Sequence, residues 1–240
     1  MVNKDLNFSK AHHIVLSYNW SITEHLRLKV EPYYQYLYDI PVERGTPMSM
    51  INYRDILTLL PKLENDGKGR NYGLDVTLER YLHEGYYYLL TGSLFSSRYM
   101  GGDGVWRNTR LNRRFIVNAL GGREWKMGRQ NQNLFSVSLR ATVQGGEHYI
   151  PVNEAASSPH ALVFDNARAF KPQLKPEFIG HFTVSYKINR NRLSHEFSVK
   201  MMNVTGNKEF EGFWYNPREE RIEMYMGAVV IPNISYKIEF

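Results

Sequence analysis

Residues 26–38 read Leu-Arg-Leu-Lys-Val-Glu-Pro-Tyr-Tyr-Gln-Tyr-Leu-Tyr, and this stretch decides the fold class. Its even positions are apolar or aromatic, whereas its odd positions include Arg27, Lys29, Glu31 and Gln35. Successive side chains of a β-strand point to opposite faces of a sheet. The alternation therefore predicts a long strand with one oily face and one charged face.

The same alternation recurs along the whole chain, as in the apolar series Tyr72, Leu74, Val76 and Leu78. Helical periodicity is nowhere convincing, so we predict an all-β, antiparallel protein that occupies residues 1–240 as a single unit. Nine long strands are predicted, near residues 8–20, 24–39, 68–83, 86–99, 112–127, 133–148, 174–188, 193–205 and 223–240.

The connections between these strands alternate strictly in length. Short turns are predicted at residues 20–23, 83–85, 128–132 and 189–192. Long loops are predicted at residues 40–67, 100–111, 149–173 and 206–222. Outer-membrane barrels sort their connections in this way, with short turns on the periplasmic side and long loops outside. The pattern favours an antiparallel transmembrane β-barrel segment in the outer membrane.

An odd number of strands leaves the first and last strands parallel. Nine strands therefore predict an incomplete barrel, unless a hairpin around Asn216-Pro217 in the last long loop adds a tenth. A complete barrel of eight or ten strands, acting as a pore or adhesin, is the alternative that parity distinguishes from a segment.

Aromatic residues gather near the predicted strand ends, which indicates two membrane-interface girdles. The girdle at the turn end comprises Tyr18, Trp20, Tyr81, Tyr86, Tyr88, Trp125, Tyr186 and Tyr236. The girdle at the loop end comprises Tyr36, Tyr38, Tyr72, Tyr99 and Tyr149.

Composition excludes several function classes. The chain has no cysteine, which excludes disulfides, cysteine-zinc sites and cysteine nucleophiles. The net charge is +6, but the basic residues are spread along the chain, so nucleic-acid binding is not expected. The eight histidines are scattered, and His12 and His13 would point to opposite faces of a strand, so no metal site and no cofactor is predicted.

An outer-membrane hydrolase is the enzymatic alternative, because such enzymes place Ser, His and acidic residues at a barrel rim. Its candidates would lie in or beside the third long loop: His148, Ser157, Ser158, His160 and Asp165. Their spacing is not diagnostic, and a polar loop explains them equally well. We therefore predict no catalytic residues.

Five segments resemble the TonB-dependent receptors of Bacteroidetes, including members with a carboxypeptidase-like domain before the plug. They are residues 9–13 (Ser-Lys-Ala-His-His), 26–38, 67–75 (Gly-Lys-Gly-Arg-Asn-Tyr-Gly-Leu-Asp), 103–110 (Asp-Gly-Val-Trp-Arg-Asn-Thr-Arg) and 231–240 (Ile-Pro-Asn-Ile-Ser-Tyr-Lys-Ile-Glu-Phe). The resemblance implies a twenty-two-stranded barrel. It also implies an N-terminal plug, TonB as the energy-coupling partner, and uptake of a large solute such as an iron chelate, vitamin, glycan or peptide.

This chain lacks the signal peptide, TonB box and plug of that pattern, so we expect it to be the C-terminal portion of a longer receptor. The resemblance also implies that the barrel-assembly machinery recognises the last strand through Tyr236, Ile238 and Phe240.

Two further groups of residues are candidate sites. Long loops converge over the mouth of such barrels, so Trp106, Arg107 and Arg110 are the predicted ligand contacts. The charged side chains predicted to face the lumen, and to contact the plug in a full receptor, are Arg27, Lys29, Glu31, Asp75, Glu79 and Arg140. Lipid of the outer membrane is expected on the opposite face.

Overall fold

The computed structural model describes residues 3–52 and 61–240. This part of the chain is mostly β-strand, with short 3-10 helices at Met50–Asn52, Glu154–Ala156 and Asn166–Arg168. No helix within the described residues is long and apolar enough to cross a membrane. The strands are β1 (Lys10–Val15), β2 (Tyr18–Thr23), β3 (Leu26–Val42), β4 (Glu64–His83), β5 (Tyr86–Met100), β6 (Trp106–Asn108), β7 (Phe115–Met127), β8 (Asn133–Gln144), β9 (Glu177–Asn189), β10 (Ser194–Met202), β11 (Glu209–Asn216), β12 (Arg221–Gly227) and β13 (Ile231–Glu239).

Eleven of these strands form one antiparallel sheet that is not closed. Both β1 and β2 pair with β3, and the sheet continues through β4, β5, β7, β8, β9, β10 and β13. The short β6 adds to the end of β5. In the described part of the chain, β1 and β2 form one edge of the sheet and β13 forms the other. The all-β, antiparallel prediction is confirmed.

The first predicted strand and turn are wrong in detail. The strand at residues 8–20 is interrupted after Val15, and its second half continues as β2 to Thr23. The turn predicted at residues 20–23 is instead the pair Glu24-His25. The register with β3 shifts between Ser21 and Thr23, so that Thr23 pairs with Leu26 directly across this two-residue turn.

The last predicted strand is also wrong in its extent, because residues 223–227 belong to a separate hairpin. There β12 pairs with β11, with Phe213 opposite Met224. Only Ile231–Glu239 joins the large sheet, where it pairs with β10. The hairpin suggested around Asn216-Pro217 does form, but it pairs outside the large sheet and adds no tenth strand to it.

The sorting of connections by length is confirmed. Residues Glu84 and Gly85 join β4 to β5, and both have positive φ (54° and 79°), as a tight hairpin turn requires. A side chain at Gly85 would also meet the Glu124 carbonyl oxygen, 2.6 Å from the Cβ position. The long connections, at residues 43–63, 101–114, 145–176 and 203–230, all leave the opposite end of the sheet. We call this end the loop end.

A cluster of buried apolar side chains lies at the loop end. Tyr99 is fully buried there with Ala169 and Phe170, and Ile51 and Ile150 pack against them. The Tyr99 hydroxyl donates a hydrogen bond to the Pro47 carbonyl oxygen at 2.8 Å. The assignment of Tyr99 to an aromatic girdle is therefore wrong, because its side chain points into the loops.

Candidate functional site

The two faces of the sheet differ sharply in chemistry. We call one the polar face; it carries the odd-numbered side chains of β3, β4 and β5 and continues onto β7 through β10 by strand register. The other is the apolar face, and its side chains are largely exposed: Leu94 is 63%, Leu139 61% and Ile234 83% accessible. The fold thus turns an apolar surface outwards.

Hydrogen bonds run across the strands on the polar face. The Asn71 side chain donates to Gln35 at 2.7 Å and accepts from the Ser97 hydroxyl at 2.7 Å. Further along, Asn118 donates to Thr91 at 3.2 Å and accepts from Thr142 at 2.7 Å. Paired side chains of this kind hold strand register where apolar packing does not.

The six residues predicted to face the lumen all lie on the polar face. They fall into two groups: Arg27, Lys29, Glu31, Asp75 and Glu79 on β3 and β4, and Arg140 on β8.

The β3–β4 group carries charges of both signs. Arg27 lies opposite Glu79, and Glu31 lies opposite Asp75. The Lys29 ammonium pairs with Glu31 at 2.6 Å, and the Arg27 guanidinium donates to the Asn19 side chain at 2.6 Å. Carboxylates and cations therefore compensate one another in this half of the sheet.

Arg140 has different neighbours. It lines a cavity of about 500 Å³ on the polar face together with His181 and Lys200. His181 lies directly opposite Arg140 in the register of β8 and β9. Sequence reasoning did not group these three residues, because their strands lie far apart in the chain.

The long loops pack against one another at the loop end. The Gly45 amide donates to the Gly102 carbonyl oxygen at 3.0 Å, and the Asp103 amide donates to the Thr46 carbonyl oxygen at 3.2 Å. A Cβ atom at Gly102 would lie 2.0 Å from the Glu43 carbonyl oxygen, so this close approach requires glycine. The first and second long loops thus form one seam.

The three predicted ligand contacts each have an intramolecular partner. The Trp106 ring lies under the Arg70 guanidinium, 4.6 Å from its centroid. Arg107 forms a two-pronged ion pair with Asp103, at 2.6 and 2.8 Å, and this hydrogen bonding holds the pKa of Asp103 below its usual value. The geometry gives these side chains a structural role, and ligand contact by them stays a prediction.

Arg110, the third of these residues, belongs to a network of ion pairs. Glu147 accepts from Arg110 at 3.1 Å and from Arg113 at 2.8 Å. Arg113 also pairs with Glu177 at 2.9 Å, and Gln144 donates to Glu177 at 2.6 Å. The network ties the second loop to the third loop and to the ends of β8 and β9, a connection that sequence spacing alone did not indicate.

Aromatic rings join the third loop to the hairpin of β11 and β12. The Tyr149 ring lies 5.7 Å from that of Phe210 and 5.8 Å from that of Phe213, and Phe164 lies 6.3 Å from Phe213. The prediction that Tyr149 belongs to a girdle is wrong for this reason. Other predicted girdle residues, among them Trp20 at the turn end, have exposed rings.

The hydrolase candidates do not assemble into a catalytic group. The His148 ring is 2% exposed, and its Nδ1 atom lies 3.1 Å from the Pro172 carbonyl oxygen. The Ser157 hydroxyl donates to the Asn153 carbonyl oxygen at 2.7 Å, and Asp165 pairs with Arg168 at 2.6 Å. Within the described residues, no hydrogen bond joins a serine hydroxyl of this loop to a histidine ring. The described residues also contain no group of three or more His, Asp or Glu residues placed to hold a metal ion.

Three residues were predicted to be recognised by the barrel-assembly machinery. Tyr236 and Ile238 lie on the edge strand β13, and Phe240 follows it. The Tyr236 ring stacks on Phe197, with centroids 4.7 Å apart, and Ile238 lies opposite His195. Phe240 follows the end of β13 and is 98% exposed.

Comparisons with family models, curated proteins and solved structures found no match to this chain.

Proposed function

We propose that this chain is a segment of an outer-membrane β-barrel, in a receptor of the TonB-dependent type that takes up a large solute. The single observation that carries the proposal is the large antiparallel sheet whose apolar face is exposed and whose opposite face is polar and hydrogen-bonded. The proposed surroundings are outer-membrane lipid on the apolar face and a lumen on the polar face. The solute would be an iron chelate, vitamin, glycan or peptide, and we propose no enzymatic step.

The cost of exposing apolar side chains to water supports a lipid environment. Each square ångström of apolar surface left in water costs about 25 cal/mol, and soluble monomers rarely expose contiguous apolar patches beyond a few hundred Å². On the apolar face, exposed side chains follow one another across neighbouring strands, from Val143 to Phe178 and from Val199 to Ile234. Lipid tails would cover such a surface without a second protein layer.

Strand parity supports a segment over a complete small barrel. Nine strands lie side by side along the sheet, so its two edge strands run in the same direction. An antiparallel barrel containing this sheet needs an odd number of further strands. A twenty-two-stranded barrel would supply thirteen, which is odd.

The loop end supports a receptor function. The seam of the first two loops, the ion pairs of Glu147 and the rings around Phe213 hold the long connections together. Binding residues occur disproportionately on loops that a rigid scaffold positions. In the proposed receptor the plug and TonB would complete the transport path, and the barrel-assembly machinery would insert the chain.

Insertion of the whole chain into lipid vesicles tests the membrane placement. The urea-unfolded chain is diluted into short-chain phosphatidylcholine vesicles, and protease-protected fragments and far-UV circular dichroism are recorded. Leu139 and Ser136 lie on β8 and face opposite sides of the sheet, and Ser136 lies opposite Glu124. We expect Leu139→Arg to cost about 2–4 kcal/mol of insertion free energy, as a charge at mid-membrane does. Ser136→Arg is the control on the polar face, where Glu124 compensates the added charge, and it should insert nearly as well as the unsubstituted chain.

Equal insertion of both variants, or protease protection that needs no vesicles, would contradict the membrane placement. Uptake requires a separate assay, because insertion does not report on the solute.

A further inference from the structure

The cavity of about 500 Å³ on the polar face brings basic side chains together from three adjacent strands. Arg140 comes from β8, His181 from β9 and Lys200 from β10. Polar side chains surround them, and apolar ones close the sides. The polar residues of this lining are Thr91, Asn118, Ser138 and Thr183.

Strand register places the three basic residues within reach of one bound group. Arg140 lies directly opposite His181, and Lys200 lies opposite Thr183, two residues further along β9. Directly opposed Cβ atoms lie about 4.5–5.5 Å apart, and diagonal neighbours lie within reach of long side chains. Like charges in such positions destabilise a sheet unless an opposite charge compensates them.

All three side chains offer hydrogen-bond donors to the cavity. Arginine and lysine have donors only. The Nδ1 atom of His181 accepts from the Asn203 backbone amide at 3.2 Å, which assigns the ring proton to Nε2. The neutral ring of His181 is therefore a donor as well.

The structure provides these donors with no carboxylate of their own. Among the described residues, neither Arg140 nor Lys200 forms an ion pair, whereas Lys29 on the other half of the same face pairs with Glu31 at 2.6 Å. An adjoining cavity of about 400 Å³ shares Arg140 and His181, and the side chains of Glu209 and Glu211 line it. These carboxylates lie on β11, outside the lining of the first cavity, so the basic cluster has an acidic rim.

We propose that Arg140, His181 and Lys200 form an anion-binding site that takes a carboxylate or phosphate group. Charge-assisted hydrogen bonds from arginine and lysine to such groups are stronger than neutral ones, and a guanidinium binds a carboxylate through two parallel bonds. The anion would also compensate the like charges of Arg140 and Lys200. The site deepens the proposed function, because it names a chemical class that the polar face binds.

The anion has two possible sources, a free solute or an acidic polypeptide segment. Isothermal titration of the whole chain, folded in uncharged detergent micelles at low salt, uses citrate and inorganic phosphate for the first source. A blocked Glu-Gly-Glu peptide represents the second. We expect at least one probe to bind, and the double variant Arg140→Gln/Lys200→Gln to weaken its binding about tenfold or more.

The control is Arg27→Gln/Lys29→Gln, which removes the same charge from the other half of the polar face. It should change probe affinity less than about twofold, since no close contact is lost. Binding of citrate or phosphate supports a solute site, and binding of the peptide alone supports a polypeptide partner. Equal weakening by both double variants, or no binding of any probe to the folded chain, overturns the proposal.

The same samples separate this inference from the proposed function. Binding that depends on Arg140 and Lys200 in a chain that does not insert into vesicles would leave the site standing and remove the barrel. Insertion into vesicles without binding of any probe would support the barrel and remove the anion-binding site.

Discussion

The strands of the large sheet, which we call the wall, and the loop end are stabilised in different ways. The wall has few buried side chains, and long antiparallel ladders with polar pairs such as Asn71 and Ser97 hold its strands together. The loop end has a small core around Tyr99 and an ion-pair network around Glu147. The difference teaches that the loop end makes its own interior, whereas the apolar face of the wall is left exposed.

Removing the buried core of the loop end should have the largest effect on the stability of this region. Tyr99→Ala should lower the free energy of local unfolding of the loop end by about 3–5 kcal/mol, because a buried aromatic ring and its hydrogen bond to Pro47 are lost. Hydrogen exchange of the amides in residues 101–114 and 145–176 measures this loss. Far-UV circular dichroism should still report the strands of the wall.

The matched control is Tyr72→Ala, which removes the same side chain from a half-exposed position on β4. It should leave exchange in the loops unchanged. If both variants accelerated loop exchange alike, the loop end would not be an independent unit.

Much of the wall could be predicted from sequence, and little of the loop end could. Period-two alternation is a local signal, so the segments containing β3, β4 and β5 were predicted in number, direction and face. The break after Val15 and the diversion of β12 into a hairpin were missed, because both depend on which partner strand satisfies the backbone. Alternation also cannot tell one polar side chain from another, so it placed Arg140 on the correct face without revealing His181 and Lys200 beside it.

The candidate ligand residues illustrate the same limit. Loop position suggested that Arg107 and Arg110 contact a ligand, but their carboxylate partners are Asp103, four residues away, and Glu147, on another loop. A local composition of Trp and Arg does not indicate whether such pairing has taken place. For Arg110, the packing of two separate loops decides whether the pair forms.

Breaking the ion pairs of Glu147 should have the second-largest effect on the stability of the loop end. Glu147→Gln should destabilise the loop end by about 2 kcal/mol, because the half-buried guanidinium groups of Arg110 and Arg113 lose a charged acceptor. The same amides, followed by hydrogen exchange, report the change. Glu219→Gln is the control, since its ion pair with Arg221 is exposed, and surface pairs contribute about 0–1 kcal/mol. Similar effects of the two variants would mean that burial does not strengthen the network.

The smallest effect should be a dependence of the loop end on pH, through His148. Burial lowers the pKa of this histidine, against the opposing effect of its hydrogen bond to the Pro172 carbonyl oxygen. A histidine whose folded pKa is lowered stabilises the fold above its unfolded pKa of about 6.5. That contribution is lost as the pH falls towards the folded value. The pKa of Asp103 is lowered by Arg107, so its carboxylate keeps its charge over this range.

Protection of the loop amides, corrected for intrinsic exchange, should therefore fall between pH 7.5 and pH 5.5, whereas protection in β4 and β5 should change less. His148→Asn, which keeps a donor for the Pro172 carbonyl oxygen but does not titrate, should reduce this dependence. His160→Asn should leave it unchanged, because that ring is exposed in the same loop. A pH dependence that survives in His148→Asn would assign the titration to another group, and one that appears equally in the wall would remove the distinction between the two regions.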